Sequence, residues 1–204
     1  KASAAKHNNA VAAPAPTPTP AQVEGPFHPV RQQLDTDLDL THVIGRTESA
    51  FGEAIFVKGR VLNTQGEPIS NALLDIWQAN HYGRYSHPGD RNRSPLDPNF
   101  QGWGLVRSDS NGNYQIKTVK PGAYPLKALG GEGWRCRHIH FKLSCEGYKA
   151  LTTQMYFRGD PLIAQDMEIK KAPEALRELL IADSSVDPLS GLAVYRFDIV
   201  MAGN

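Results

Sequence analysis

The run VKGRVLNTQGEPISNALLDIWQANHYGRY, residues 57–85, decides the fold. Two short stretches rich in β-branched and aliphatic side chains, residues 55–62 and 73–78, flank a cluster holding Asn63, Gly66 and Pro68. That is the punctuation of strands and turns. The same rhythm runs on to the C-terminus and gives further candidate strands over 104–108, 114–119, 138–144, 151–157 and 193–200. In the last of these Val194, Arg196, Asp198 and Val200 alternate with Tyr195, Phe197 and Ile199, the period of a half-buried strand. One helix is predicted over 173–182, with Pro173 at its start and Leu176, Leu179 and Leu180 as its apolar stripe. The expected fold is all-β, a β-sandwich with long functional loops and one short C-terminal helix.

A chain of 204 residues with 40% hydrophobic content is enough for one domain with a core. Its 22 Lys and Arg nearly cancel 21 Asp and Glu, so no overall basic field gathers nucleic acid or an anionic membrane. No apolar run reaches the roughly 18–20 residues of a membrane span, and no glycine-rich phosphate loop is present. Residues 1–21, KASAAKHNNAVAAPAPTPTPA, lack large apolar side chains and alternate Pro14, Pro16, Pro18 and Pro20. They read as a disordered, solvated tail or linker, leaving residues 22–204 as the folded domain. Such a tail behind a Lys start fits export with a processed leader, the cytoplasm being the alternative. Cys136 and Cys145 would sit roughly 30 Å apart on an extended segment, too far to pair with each other.

The chemistry starts at RCRHIHF, residues 135–141. Side chains alternate across a strand, so His138 and His140 share a face about 6–7 Å apart along the backbone, a spacing at which two imidazoles can hold one metal ion. A cupin-like site wants a Glu three or four residues later, but the next carboxylate is Glu146. A three-histidine zinc site needs a third member from His28, His42, His81 or His87, none in a comparably ordered run. Tyrosine offers another partner. Tyr85 closes the loop WQANHYGRY, and Tyr124 sits in KPGAYP, where two prolines stiffen the backbone. A phenol with a pKa of about 10 is a poor ligand by itself, but a hard trivalent cation deprotonates it. The loop SDSNGNY, residues 108–114, lacks the glycine and glutamate spacing of a calcium loop and reads as an Asn-Gly hairpin turn.

With those pieces in order, the chain resembles the intradiol ring-cleavage dioxygenases. The resemblance rests on residues 57–85 and on SPLDPNFQGWG, SDSNGNYQIKTVKPGAYP, RHIHF, LTTQMYFRGDP and YRFDIV, covering the chain from about Glu24 onward. It is nearest to the protocatechuate 3,4-dioxygenase subunits, and also takes in the catechol 1,2-dioxygenases. It implies a prealbumin-like β-sandwich and one non-haem Fe(III) per chain, held by Tyr85, Tyr124, His138 and His140. It further implies Tyr124 as an internal base, Arg135 as the cation facing charge on the substrate ring, and Gln154 on the oxygen side. The implied reaction takes a small aromatic ortho-diol and O₂ to a cis,cis-muconate-type dicarboxylic acid, and family members assemble as homo-oligomers or with a second subunit. Two departures touch the pocket: Leu126 and Lys127 stand where protocatechuate enzymes carry a tryptophan, and Cys136 where many members have proline. Arg84, Lys127 and Arg137 are the cations that could meet a ring carboxylate, and Trp134 is the tryptophan nearest the site in sequence. The alternative is a non-catalytic binding module of the same prealbumin-like sandwich, which needs neither RHIHF nor its tyrosines.

Overall fold

Strand alternation organises the long first strand, β1 (Ala54–Asn63), whose Ile55, Val57 and Val61 point inward and are fully buried while their neighbours are half-exposed. The computed structural model describes residues 15–30 and 37–204. The other strands follow as β2 (Leu73–Trp77), β3 (Trp103–Arg107), β4 (Asn113–Val119), β5 (Tyr124–Pro125), β6 (Trp134–Arg135), β7 (His138–Ser144), β8 (Leu151–Phe157), β9 (Ile181–Val186), β10 (Ala193–Arg196) and β11 (Ile199–Met201). Strand makes up 34% and helix 8%, so the all-β expectation holds.

Among the described residues, nine strands form one sheet in the order β11-β1-β10-β9-β8-β7-β2-β3, with β4 also on β1; β5 and β6 make a separate two-stranded ribbon. The sheet nearly closes on itself. The turn after β3 is built as an Asn-Gly turn, with Gly112 at φ 76° and Asp109 Oδ1 accepting from the amides of Asn111 and Asn113. The predicted hairpin does not follow, because β3 pairs with β2 and β4 with β1. Instead, residues 38–40 lie in the gap: Lys117 N donates to Leu38 O, Leu40 N to Lys117 O and Gln101 N to Leu40 O. The fully buried Leu40 plugs the opening.

Inside lies one large core containing Ile55, Leu74, Ile76, Ile139, Phe141, Leu143 and Met155, each fully buried. Burial of each such side chain contributes about 1.5–3 kcal/mol. The alternation within β7 divides labour: Ile139, Phe141 and Leu143 enter this core, and His138 and His140 point to the other side, also buried.

Three expectations are corrected. The stretch 193–200 is two strands, since Phe197 O turns to accept from Tyr114 Oη at 2.6 Å and Asp198 Oδ1 accepts from Arg60 N, breaking the ladder. The C-terminal helix is a 3₁₀ segment, Glu174–Leu180, that ends in strand β9; only Leu180 of its stripe is fully buried, too little apolar face to hold a longer α-helix. A single α-turn, α1 (Met167–Lys170), precedes it. Of the tail expected over residues 1–21, residues 1–14 lie outside the described residues. The rest is not solvated throughout: Thr19 and Pro20 are buried, Thr19 N donates to Val200 O, and Thr153 Oγ1 donates to Pro20 O. Both cysteines are free, Cys136 buried and Cys145 half-buried.

Candidate metal centre

Two loops and one strand bring the four expected donors together. After β2 the chain turns back through Asn80, whose Oδ1 accepts from the amides of Tyr82 and Arg84 and whose Nδ2 donates to Pro95 O. Asp90 Oδ2 then accepts from Tyr85 N at 2.8 Å and fixes the start of that side chain. Tyr124 begins β5, in register with Arg135 of β6. The two tyrosine loops touch through glycines: a Cβ at Gly122 would lie 2.3 Å from His81 O and 2.4 Å from Gly83 N, and one at Gly83 would lie 2.3 Å from Ala123 O. Only hydrogen fits at either place.

Tyr85 Oη lies 3.1 Å from His140 Nε2 and 3.3 Å from His138 Nε2. The Tyr124 ring stands 5.8 Å from that of Tyr85 and 5.7 Å from that of His138. His138 Nδ1 donates to Cys136 O at 2.7 Å, so its Nε2 presents a lone pair to Tyr85. Donors bonded at about 2.0–2.2 Å to a shared ion sit about 3 Å from one another, so the spacing fits a cation among these groups. The donor set, two phenols and two imidazoles, suits a hard trivalent metal. No cluster of three His, Cys, Asp or Glu able to hold a metal occurs among the described residues. The third histidine of a zinc site is therefore missing there; His28, for instance, is 2.9 Å from Asp75 Oδ2.

Burial, with the neighbouring Tyr124 second, pushes the Tyr85 phenol well above its ordinary pKa; burial also raises Tyr124, partly offset by Arg135. Burial pulls His138 well below the usual range, with Arg135 adding to it, and does the same to His140 together with His138 and Arg135. The metal-free folded chain thus keeps both imidazoles neutral, while the unfolded chain takes up two protons as the pH drops. Stability of the metal-free protein is complete above about pH 6.5 and falls below it, by about 1.4 kcal/mol per pH unit for each histidine. Denaturant unfolding between pH 8 and 5 measures this, and a flat profile would contradict it.

Arg135 is buried beside Tyr124; burial alone would lower its pKa, but Tyr124 and Asp166 outweigh that and raise it. Its Nε donates to Asp166 Oδ2 at 2.9 Å and its Nη2 to Gln154 Oε1 at 2.6 Å. Gln154 Oε1 also accepts from Tyr156 Oη, and its Nε2 donates to Val23 O. Its oxygen is therefore spent on holding Arg135 and Tyr156.

Several members of the site were not expected. Trp77, not Trp134, is its tryptophan: Trp77 stacks on His140 at 4.7 Å and 8°, while Trp134 is half-exposed on β6. The register pairing Trp77 with His140 across β2 and β7 explains this, and adjacency in sequence does not reveal it. Phe27 packs on Tyr85 at 4.9 Å, and Gly25 lies against His140, so residues 23–28 wall one side. Arg137 is committed to Asp160, and Arg84 Nη1 to Ser94 O. A cavity of about 970 Å³ elsewhere, between β1, β4 and β10, touches none of the four donors.

A family model described as "Dioxygenase" matches residues 23–203. The protocatechuate 3,4-dioxygenase beta chain of Burkholderia cepacia is 46% identical over 170 residues, 82% of this chain and 72% of that protein. The chain belongs to the intradiol ring-cleavage dioxygenases. Catechol 1,2-dioxygenase 2 of Acinetobacter lwoffii is 36% identical over 125 residues, and this chain spans 44% of its length. Among solved structures, the dioxygenase domain of a dioxygenase carbohydrate-binding protein fusion from Streptomyces sp. SirexAA-E superposes with a TM-score of 0.66 at 28% identity, covering 92% of this chain and 100% of that one. The nearly closed sheet is thus the fold of an intradiol dioxygenase domain, and the site loops lie within the matched residues.

Proposed function

We propose that this chain is an oxidoreductase that cleaves a catechol-type ortho-diol with O₂ between its two hydroxyl-bearing carbons, giving a cis,cis-muconate-type dicarboxylic acid. The observation that carries this reading is the meeting of Tyr85 Oη with both histidine Nε2 atoms at 3.1 and 3.3 Å. Family membership supports the reaction class. Tyr85, Tyr124, His138 and His140 would hold one non-haem Fe(III), and we read the nearly closed sheet around it as a prealbumin-like sandwich. When bound, the ion supplies a Lewis acid that chelates the diol oxygens and draws electron density from the ring.

The side chains do the rest. Tyr124 Oη would take a proton from a diol hydroxyl as a phenolate returning to the phenol; ligation to the ion would supply that phenolate, and the neighbouring Arg135 favours it against the opposing effect of burial. The Arg135 guanidinium stabilises negative charge as it moves from the deprotonated diol oxygens onto a ring carbon, the carbon that then gives electrons to O₂, and does so in a buried setting where water does not screen it. Gln154 holds Arg135 in place. Trp77 and Phe27 exclude water from the side of His140 and Tyr85. Of the three cations facing a choice of substrate, Lys127 is exposed and has no described partner, which leaves it free to meet a ring carboxylate.

The test is the visible spectrum and iron content of the purified protein, with anaerobic titration by catechol and by protocatechuate. About one iron per chain, a reddish tyrosinate band and a red shift on diol addition are expected, and the tighter diol names the substrate. A chain that stays colourless after Fe(III) reconstitution would make it a non-catalytic binding sandwich.

A further inference from the structure

Arg135 would be a poor electrostatic catalyst if its guanidinium could swing, because a charge helps only where it is aimed. Its two described hydrogen bonds go to different elements: Nη2 to Gln154 on β8 and Nε to Asp166, the residue that caps α1. Asp166 is fully buried. Its Oδ2 accepts a second bond, from Cys136 N at 2.8 Å, and its Oδ1 accepts from Glu168 N at 2.8 Å. Its own amide donates to the carbonyls of Leu162 and Ile163. A carboxylate tied to backbone on both sides has little freedom of its own.

The connection extends one step further. Cys136, whose N–H donates to Asp166, offers its own carbonyl, in the next peptide group, to His138 Nδ1 at 2.7 Å. One carboxylate oxygen therefore touches both the guanidinium and the N–H of the residue whose carbonyl orients the first histidine.

We propose that Asp166 is a positioning residue of this site: together with Gln154 it fixes the plane of the Arg135 guanidinium and, through the backbone of Cys136, it steadies the ring of His138. This rests on the reading of Arg135 given above. A second consequence follows from charge. Asp166 balances Arg135 before substrate arrives, so the guanidinium adds little to binding of the diol and acts on the step in which charge moves onto the ring. Removing the carboxylate therefore lowers kcat more than it weakens binding.

The iron-loaded full chain is compared with Asp166→Asn, Asp166→Glu, Arg135→Met and the double variant Asp166→Asn/Arg135→Met. The readouts are the tyrosinate band, the diol dissociation constant from anaerobic titration, and kcat from oxygen uptake. Asp166→Asn puts an amide donor where Arg135 Nε, Cys136 N or Glu168 N now finds an acceptor. It is expected to lose about 100-fold in kcat, the scale of a misplaced catalytic group, with the diol dissociation constant within about threefold. Asp166→Glu keeps the charge one methylene out of place and is expected to lose about tenfold; it carries the test if the Asn variant does not fold. The double variant is expected to stay within about tenfold of Arg135→Met, well above the product of the two single losses, because with Arg135 gone only the share of Asp166 at His138 is left to lose.

Asp166 variants with kcat unchanged while Arg135→Met loses activity overturn the proposal alone. A double variant about 100-fold below Arg135→Met, the two losses adding in full, does the same. Arg135→Met with normal turnover overturns the proposal together with the reading of Arg135.

Discussion

Replacing Tyr85 by Phe is expected to abolish iron binding at the proposed site while leaving the fold in place. The ring stays, and with it the packing on Phe27 at 4.9 Å and on Tyr124 at 5.8 Å. What goes is the single oxygen that meets both imidazole Nε2 atoms. The remaining donors, one phenol and two neutral imidazoles, offer one negative charge to a trivalent ion where the native set offers two. Changes to groups that merely support a metal ligand cost roughly 10–100-fold in affinity, and loss of a direct anionic donor is expected to exceed 100-fold. Iron content, the visible band and turnover fall together. The metal-free variant melts close to the metal-free native chain, since a buried hydroxyl's hydrogen bond contributes only about 1 kcal/mol. A Tyr85→Phe chain holding a full complement of iron with an unshifted band would remove Tyr85 from the ligand set.

The second large effect belongs to a residue with no side chain. A methyl at Gly122 would sit 2.3, 2.4 and 2.8 Å from His81 O, Gly83 N and the carbonyl carbon of Tyr82. All three are backbone atoms, so no rotamer change relieves the overlap. The loops must part. Gly83 stands two residues before Tyr85, and Gly122 two before Tyr124, so both phenols move with them. Gly122→Ala is expected to cost about 1–3 kcal/mol or more in stability and roughly 100-fold in turnover, as positions near reacting atoms shift. Gly203→Ala, with nothing within 4 Å of the added atom, serves as the control in thermal unfolding and oxygen-uptake assays. Equal behaviour of the two variants would refute the account of the loop contact.

How far the sequence reveals this site depends on the kind of signal. The period-2 pattern of RHIHF is enough to place His138 and His140 on one face, because strand geometry leaves no other choice. The two tyrosines are legible only in combination, each being an ordinary buried aromatic by itself, and it is the order of motifs around them that points to iron. Trp77, Asn80, Asp90 and Asp166 are not legible at all. Their roles come from cross-strand register and from loop hydrogen bonds between residues as far apart as Arg135 and Asp166, which no local pattern encodes. The broken last strand is hidden for a similar reason: its alternation is regular, and only the pull of Tyr114 Oη on Phe197 O interrupts it. The 3₁₀ segment shows the reverse case, a plausible apolar stripe whose Leu179 is in fact exposed to solvent.

The division of labour along β7 sets how this protein can fail. Ile139, Phe141 and Leu143 anchor the main core from the face opposite His138 and His140. A single-residue insertion within the strand, between His140 and Phe141, would put its two parts out of phase, so that either the imidazoles turn into the apolar interior or Phe141 and Leu143 leave it for the side of the proposed metal site. Such a chain would be cleared as unfolded material and would not persist as an inactive look-alike. A stable but metal-blind descendant is therefore reached by point substitution at a donor, and reading-frame-neutral insertions in this strand should be absent from any surviving set of variants.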